Sequence, residues 1–85
     1  MSIEEKARKM PHVIVKPYSG KSEQQKSKIA EEITKAVMAA ANCAEKTVSV
    51  SIEDVEPDHW VEKVYKPDIV DKWDKLYKKP GYNPL

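Results

Sequence analysis

Arginine occurs once in these 85 residues, at Arg8; cysteine occurs once, at Cys43; glycine twice, at Gly20 and Gly81; phenylalanine never. Each shortage excludes something. A lone cysteine cannot close an intramolecular disulfide, so no covalent staple holds the fold. Two isolated glycines make no glycine-rich loop able to wrap a nucleotide phosphate. Fifteen Lys plus Arg against fourteen Asp plus Glu leave a formal net charge of +1, which is no footprint for nucleic acid. The basic clusters at Lys6, Arg8 and Lys9 and at Lys78 and Lys79 have acids interleaved nearby and read as solvated surface. No apolar run approaches the roughly 20 residues that cross a bilayer, so no membrane partner is expected. The first ten residues, MSIEEKARKM, are charged and lack the apolar stretch of a secretory signal, which makes the cytoplasm the expected location. His12 and His59, the only histidines, stand at no metal-ligand spacing with Cys43 or with each other, so no metal is expected.

What is present is the material of one small domain, 40% hydrophobic and 34% charged. A chain this short buries only about 60 to 65% of its unfolded surface, so an oligomer is expected. The run His12 to Lys16, HVIVK, is β-branched and stops at Pro17, which predicts a buried strand. Tyr18, Ser19, Gly20 and Lys21 make a turn. Ser22 followed three residues later by Gln25 has the spacing of a capping box and predicts a helix start. Ile29, Ile33 and Val37 recur every four residues beside Ala30, Ala36 and Ala40, so the helix carries an apolar stripe for a sheet. Asn42 suits its end. Thr47 to Asp54, TVSVSIED, alternates Val48, Val50 and Ile52 with polar residues and predicts a second strand.

Strand, helix and strand form a βαβ unit with parallel strands. Pro57 and Asp58 open a short helical or turn segment through His59, Trp60 and Tyr65. Pro67 and Asp68 read as the start of a final helix, with Ile69, Trp73, Leu76 and Tyr77 at core spacing, ended by Pro80 and Gly81. The fold class expected is therefore α+β. Cys43, after a helix end in an alanine-rich stretch, reads as a small buried filler ahead of a nucleophile. Glu31 with Glu32 and Glu53 with Asp54 are adjacent pairs whose side chains diverge, and they read as surface.

Pro11 follows Met10 and precedes the first strand. The run PHVIVKPYSGKSEQQK, with the later VSVSIEDV and DHW, resembles the tautomerase superfamily typified by 4-oxalocrotonate tautomerase. The tail from Trp60 through KKPGY is similar to a longer, dimeric bacterial branch active on phenylenolpyruvate-type enols. The resemblance spans Pro11 to Tyr82. It implies two parallel strands completed to four by a homodimer, no cofactor, and a small-molecule enol or 2-oxo acid as substrate. It also implies a keto-enol proton transfer with Pro11 as catalytic base. The residue chemistry agrees on one condition: a prolyl nitrogen at a chain start is a basic secondary amine, whereas an internal one is an amide. Residues 1–10 therefore read as an extension that is absent from the working enzyme, residues 11–85 being the tautomerase-like domain; translation from Met10 and loss of that methionine would free the nitrogen. If the extension persists, the chain reads as a non-catalytic binding or structural homologue. Ser2 and Glu5 could cap a turn or two of helix there.

Other positions are carried over by the resemblance unevenly. Lys21 stands where the family often has an arginine that holds a substrate carboxylate, keeping the charge without the bidentate fork. Ser49 stands where the prototype has its second arginine. Trp60 falls at the place of the active-site aromatic and reads equally as a core or interface anchor. His12, beside the proline, is a candidate for orienting substrate and reads also as a strand-surface residue with no role. With no arginine after Arg8, the resemblance favours a monocarboxylate with an apolar or aromatic body.

Overall fold

The computed structural model describes residues 9–85, so the Ser2 and Glu5 cap lies outside the described residues. The described chain runs through β1 (His12–Val15), α1 (Glu23–Ala41), a single 3-10 turn at Glu45–Thr47, and β2 (Ser49–Ile52). A second 3-10 turn at Pro57–His59, a wide helix over Val61–Val70 and a third turn at Trp73–Lys75 follow. The strands are parallel, with His12 opposite Ser49, Val13 opposite Val50, Ile14 opposite Ser51 and Val15 opposite Ile52. This is the expected βαβ unit. Among the described residues no helix is long and apolar enough to cross a membrane.

The chain divides into two compact units. The first holds the chain through Val15 and Gly20–Glu53. Its helix starts where the sequence says it should: Ser22 Oγ accepts from the Gln25 N–H at 3.1 Å, and Gln25 Oε1 accepts from the Ser22 N–H at 2.9 Å. Each bond satisfies an amide that a helix start leaves unpaired. Asn42 closes α1 in the left-handed conformation, φ 53°, which a short amide side chain tolerates better than most. Packing of α1 is against β2, yet Ile29, Ile33 and Val37 are only half-buried and no residue of α1 is fully buried. Replacing Ser22 by alanine should cost about 1 kcal/mol and lower the melting temperature by about 4–8 °C, measured by circular dichroism. Ser22→Asp, which keeps an acceptor, should retain most of that.

Both strands are shorter than expected. β1 ends at Val15 because Lys16 precedes Pro17, which donates no ladder bond and restrains the residue before it. β2 begins only at Ser49 because Thr47 is caught in the preceding turn: its N–H and its hydroxyl both donate to the Ala44 carbonyl, at 3.0 and 2.7 Å. Thr47 and Cys43 are buried there, and the Cys43 thiol lies 3.8 Å from the Val37 carbonyl.

The second unit holds Lys16–Ser19 and Asp54–Leu85. Tyr18 and Val55 form a parallel bridge, closed by the Val55 N–H to the Pro17 carbonyl at 2.9 Å and the Ser19 N–H to the Val55 carbonyl at 3.0 Å. Lys16 reaches Asp68 at 2.6 Å with both side chains about one-third exposed. The final helix departs from expectation: it does not start at Pro67 but contains it, running Val61–Val70. A proline inside an α-helix removes one bond and clashes with the carbonyl four residues back. Here the ladder is widened, as the Asp71 N–H bonds to the Lys66 carbonyl five residues back at 3.0 Å, and the ring is accommodated. The core moves accordingly. Val55, Val64 and Tyr65 are buried, whereas Trp73 is 40% and Tyr77 108% exposed and Ile69 and Leu76 are half-buried.

Candidate active site

Pro11 sits at the mouth of β1, half-buried. Its carbonyl accepts from the Ser49 N–H at 3.2 Å, one rung before the strand's own pairing begins. In the chain as written its nitrogen belongs to the Met10–Pro11 amide and has no basicity. Met10 is 73% exposed, while the ammonium of Lys9 donates to the Ala41 carbonyl at 3.1 Å, at the negative end of α1.

His12 and Ser49 face each other across the parallel strands. Their side chains meet as well: Nδ1 of the imidazole and Oγ of the serine are hydrogen-bonded at 2.6 Å. Pro11, His12 and Ser49 are thus brought together by the register of two strands. Lys21 belongs to the same unit, exposed in the turn after Gly20, whose φ of 114° admits few side chains.

Trp60 lies in the second unit, half-buried at the start of the wide helix. Its indole Nε1 donates to the Tyr82 hydroxyl at 3.0 Å, and its ring meets Tyr18 edge-on, with centroids 5.0 Å apart at 82°. These three residues line a hollow of about 280 Å³. Tyr82 also leans on Tyr65, with centroids 5.6 Å apart. Tyr18 and Tyr82 escape a reading of motifs; the one sequence signal for Tyr82 is the crowding of aromatic residues into the last third of the chain.

The paired acids on α1 are surface groups. The Lys28 ammonium, 2.9 Å from Glu32, hydrogen-bonds it and holds its carboxyl below the usual range, while Glu31 and Glu32 raise Lys35. These exposed pairs belong to a solvated helix face. Among the described residues no three of His, Cys, Asp and Glu gather as metal ligands.

The family described as "Tautomerase enzyme" matches residues 11–64, a span that opens on Pro11. A probable tautomerase of Xylella fastidiosa is 38% identical over 76 residues, covering 89% of this chain and 93% of that protein. Tautomerase PptA of Pectobacterium carotovorum is 36% identical over 75 residues, covering 87% of this chain and 99% of its own. Among solved structures, YwhB, a homologue of 4-oxalocrotonate tautomerase, is similar with a TM-score of 0.56 at 35% identity. It covers 58% of this chain and 80% of that one. With its matched residues opening on Pro11 and its βαβ topology that of the solved relative, this chain belongs to the tautomerase family of isomerases.

Proposed function

We propose that the chain catalyses cofactor-independent keto-enol isomerisation of a 2-hydroxy-2-alkenoate or phenylenolpyruvate-type enol, with Pro11 as the proton carrier once its nitrogen is a free amino terminus. The observation that carries this reading is that the family's first matched position is Pro11, the residue immediately before β1. A prolyl amine there takes the proton of the enol hydroxyl and returns it to the neighbouring carbon, a 1,3 transfer that needs no metal or redox partner. Lys21, in the same unit as Pro11, pairs with the substrate carboxylate. His12 contacts the polar end, with Ser49 hydrogen-bonded to its ring.

A lysine in place of a guanidinium gives a point charge without a two-pronged fork, which favours a monoacid over a diacid. Ketonisation of phenylenolpyruvate should therefore be faster, by kcat/KM, than turnover of 2-hydroxymuconate by about tenfold, the size of one lost charge-assisted hydrogen bond; faster turnover of the diacid would overturn the substrate assignment. Two strands with Ile14 52% exposed leave apolar surface for a second copy to cover. A homodimer with a four-stranded sheet fits this, tested by sedimentation at micromolar concentration, and the working location is the cytoplasm.

One observation favours a second reading, in which residues before Pro11 persist and the chain binds ligands without turning them over: Lys9 is tied to the end of α1. Intact mass of the protein from its native cell separates the two. A mass starting at Pro11 supports the enzyme with a free amine, and a mass that includes residues before Met10 supports the binding module.

A further inference from the structure

We infer that His12, set in place by Ser49, is the hydrogen-bond donor to the oxygen of the reacting enol, a role that rests on the reading of Pro11 as proton carrier.

Removing the hydroxyl proton of an enol leaves an enolate whose charge sits largely on oxygen, and a fixed donor aimed at that oxygen lowers the barrier more than a mobile one. The chain offers few such donors. Residues 9–85 contain no arginine. The Trp60 N–H is committed to Tyr82. Lys21 is assigned to the carboxylate end. His12 follows Pro11 directly in sequence, and it lies on the exposed side of β1.

Ser49 makes two different bonds to the same dipeptide: its N–H holds the Pro11 carbonyl at 3.2 Å, and its hydroxyl meets His12 Nδ1 at 2.6 Å. One residue of β2 therefore fixes both the backbone that carries the amine and the ring beside it. The 2.6 Å contact admits either direction; with the serine hydroxyl as donor, Nδ1 is the acceptor and the ring proton sits on Nε2. The imidazole is then an N–H donor with one orientation. An exposed hydrogen bond of this kind adds little to stability, which leaves orientation of the ring as its consequence.

The step balances without a further reactant. The enol O–H breaks to the Pro11 nitrogen, His12 Nε2–H hydrogen-bonds the enolate oxygen, and the same proton passes from Pro11 to the adjacent carbon as the oxygen lone pair closes the carbonyl. His12 keeps its proton throughout.

The test uses the full chain, in which Pro11 is acylated and proton transfer plays no part. Ring-nitrogen NMR of ¹⁵N-labelled protein should find His12 protonated on Nε2, and titration with phenylpyruvate should move that signal saturably. Ser49→Ala should release the tautomer preference and weaken phenylpyruvate binding about fivefold, the size of one net hydrogen bond, whereas Ser49→Thr should retain both. His12→Gln should weaken binding likewise and make Ser49→Ala without further effect, because the serine acts through the ring. A ring protonated on Nδ1, phenylpyruvate binding that leaves the His12 signals unmoved, no saturable binding, or Ser49 and His12 effects that multiply would each overturn the inference. Binding through His12 in a protein whose Pro11-started form is inactive would sink the proline reading and leave this contact standing.

Discussion

A chain beginning at Pro11 should ketonise phenylenolpyruvate at least about 100-fold faster than the same chain carrying residues 1–10, and Pro11→Ala in the shorter chain, which keeps a free but primary and less constrained amine, should lose a smaller part of that advantage. The ground is the chemistry of one nitrogen. Acylated by Met10 it is an amide without a usable lone pair; freed, it is an α-amino group of the kind that titrates at about 7.7–8.0. Such a group accepts and returns protons near neutral pH, where a positioned base contributes about 10²–10⁴-fold. Acidification protonates the amine and removes the acceptor, so kcat/KM of the shorter chain should fall as pH drops. The shorter chain has the length over which PptA of Pectobacterium aligns, 75 residues and 99% of that protein, so it is expected to fold. Equal rates for the two chains, or full activity in Pro11→Ala, would overturn the assignment. A negative result in the long chain alone would not, because acylation predicts it.

The same nitrogen shows how far the sequence could be read. Pro11, His12 and Ser49 could each be singled out from residue type, position or resemblance, but the 2.6 Å contact between His12 and Ser49 depends on strand register, and parallel strands joined by a helix carry no turn that sets it. A shift of one residue would put Val48 or Val50 opposite His12. Helix α1 was legible to the residue because its ends are marked by local chemistry: the Ser22 and Gln25 box at one, Asn42 at the other. The carboxyl-terminal helix was not, since Pro67 obeys the local rule for a helix start while the chain uses it inside a widened turn. Its buried residues are consequently Val64 and Tyr65, which precede Pro67. The pairing of Tyr82 with Trp60 is invisible to pattern for a related reason. The two are 22 residues apart, beyond any helical or strand period.

Tyr65 carries the largest stability effect expected in the second unit. It is 4% exposed, next to Val64 at 5%, and its ring packs on Tyr82. Truncating a buried aromatic to alanine costs about 3–5 kcal/mol, transfer and cavity together. A protein of this size carries about 4–13 kcal/mol in all, so Tyr65→Ala should remove much of it and shift the urea midpoint sharply lower with little change in slope. Tyr65→Phe keeps the ring and should cost less than about 1.5 kcal/mol, the range of volume-conserving swaps. The consequence extends to the hollow that Trp60 lines. Tyr82 is held on one side by Tyr65 and on the other by the Trp60 N–H, so losing the Tyr65 ring loosens the residue that accepts that bond. Trp60 fluorescence should then report the change before global unfolding begins. A midpoint within about 0.3 M urea of the parent in Tyr65→Ala, equivalent to less than 1 kcal/mol at an ordinary slope, would mean that the core of this unit lies elsewhere.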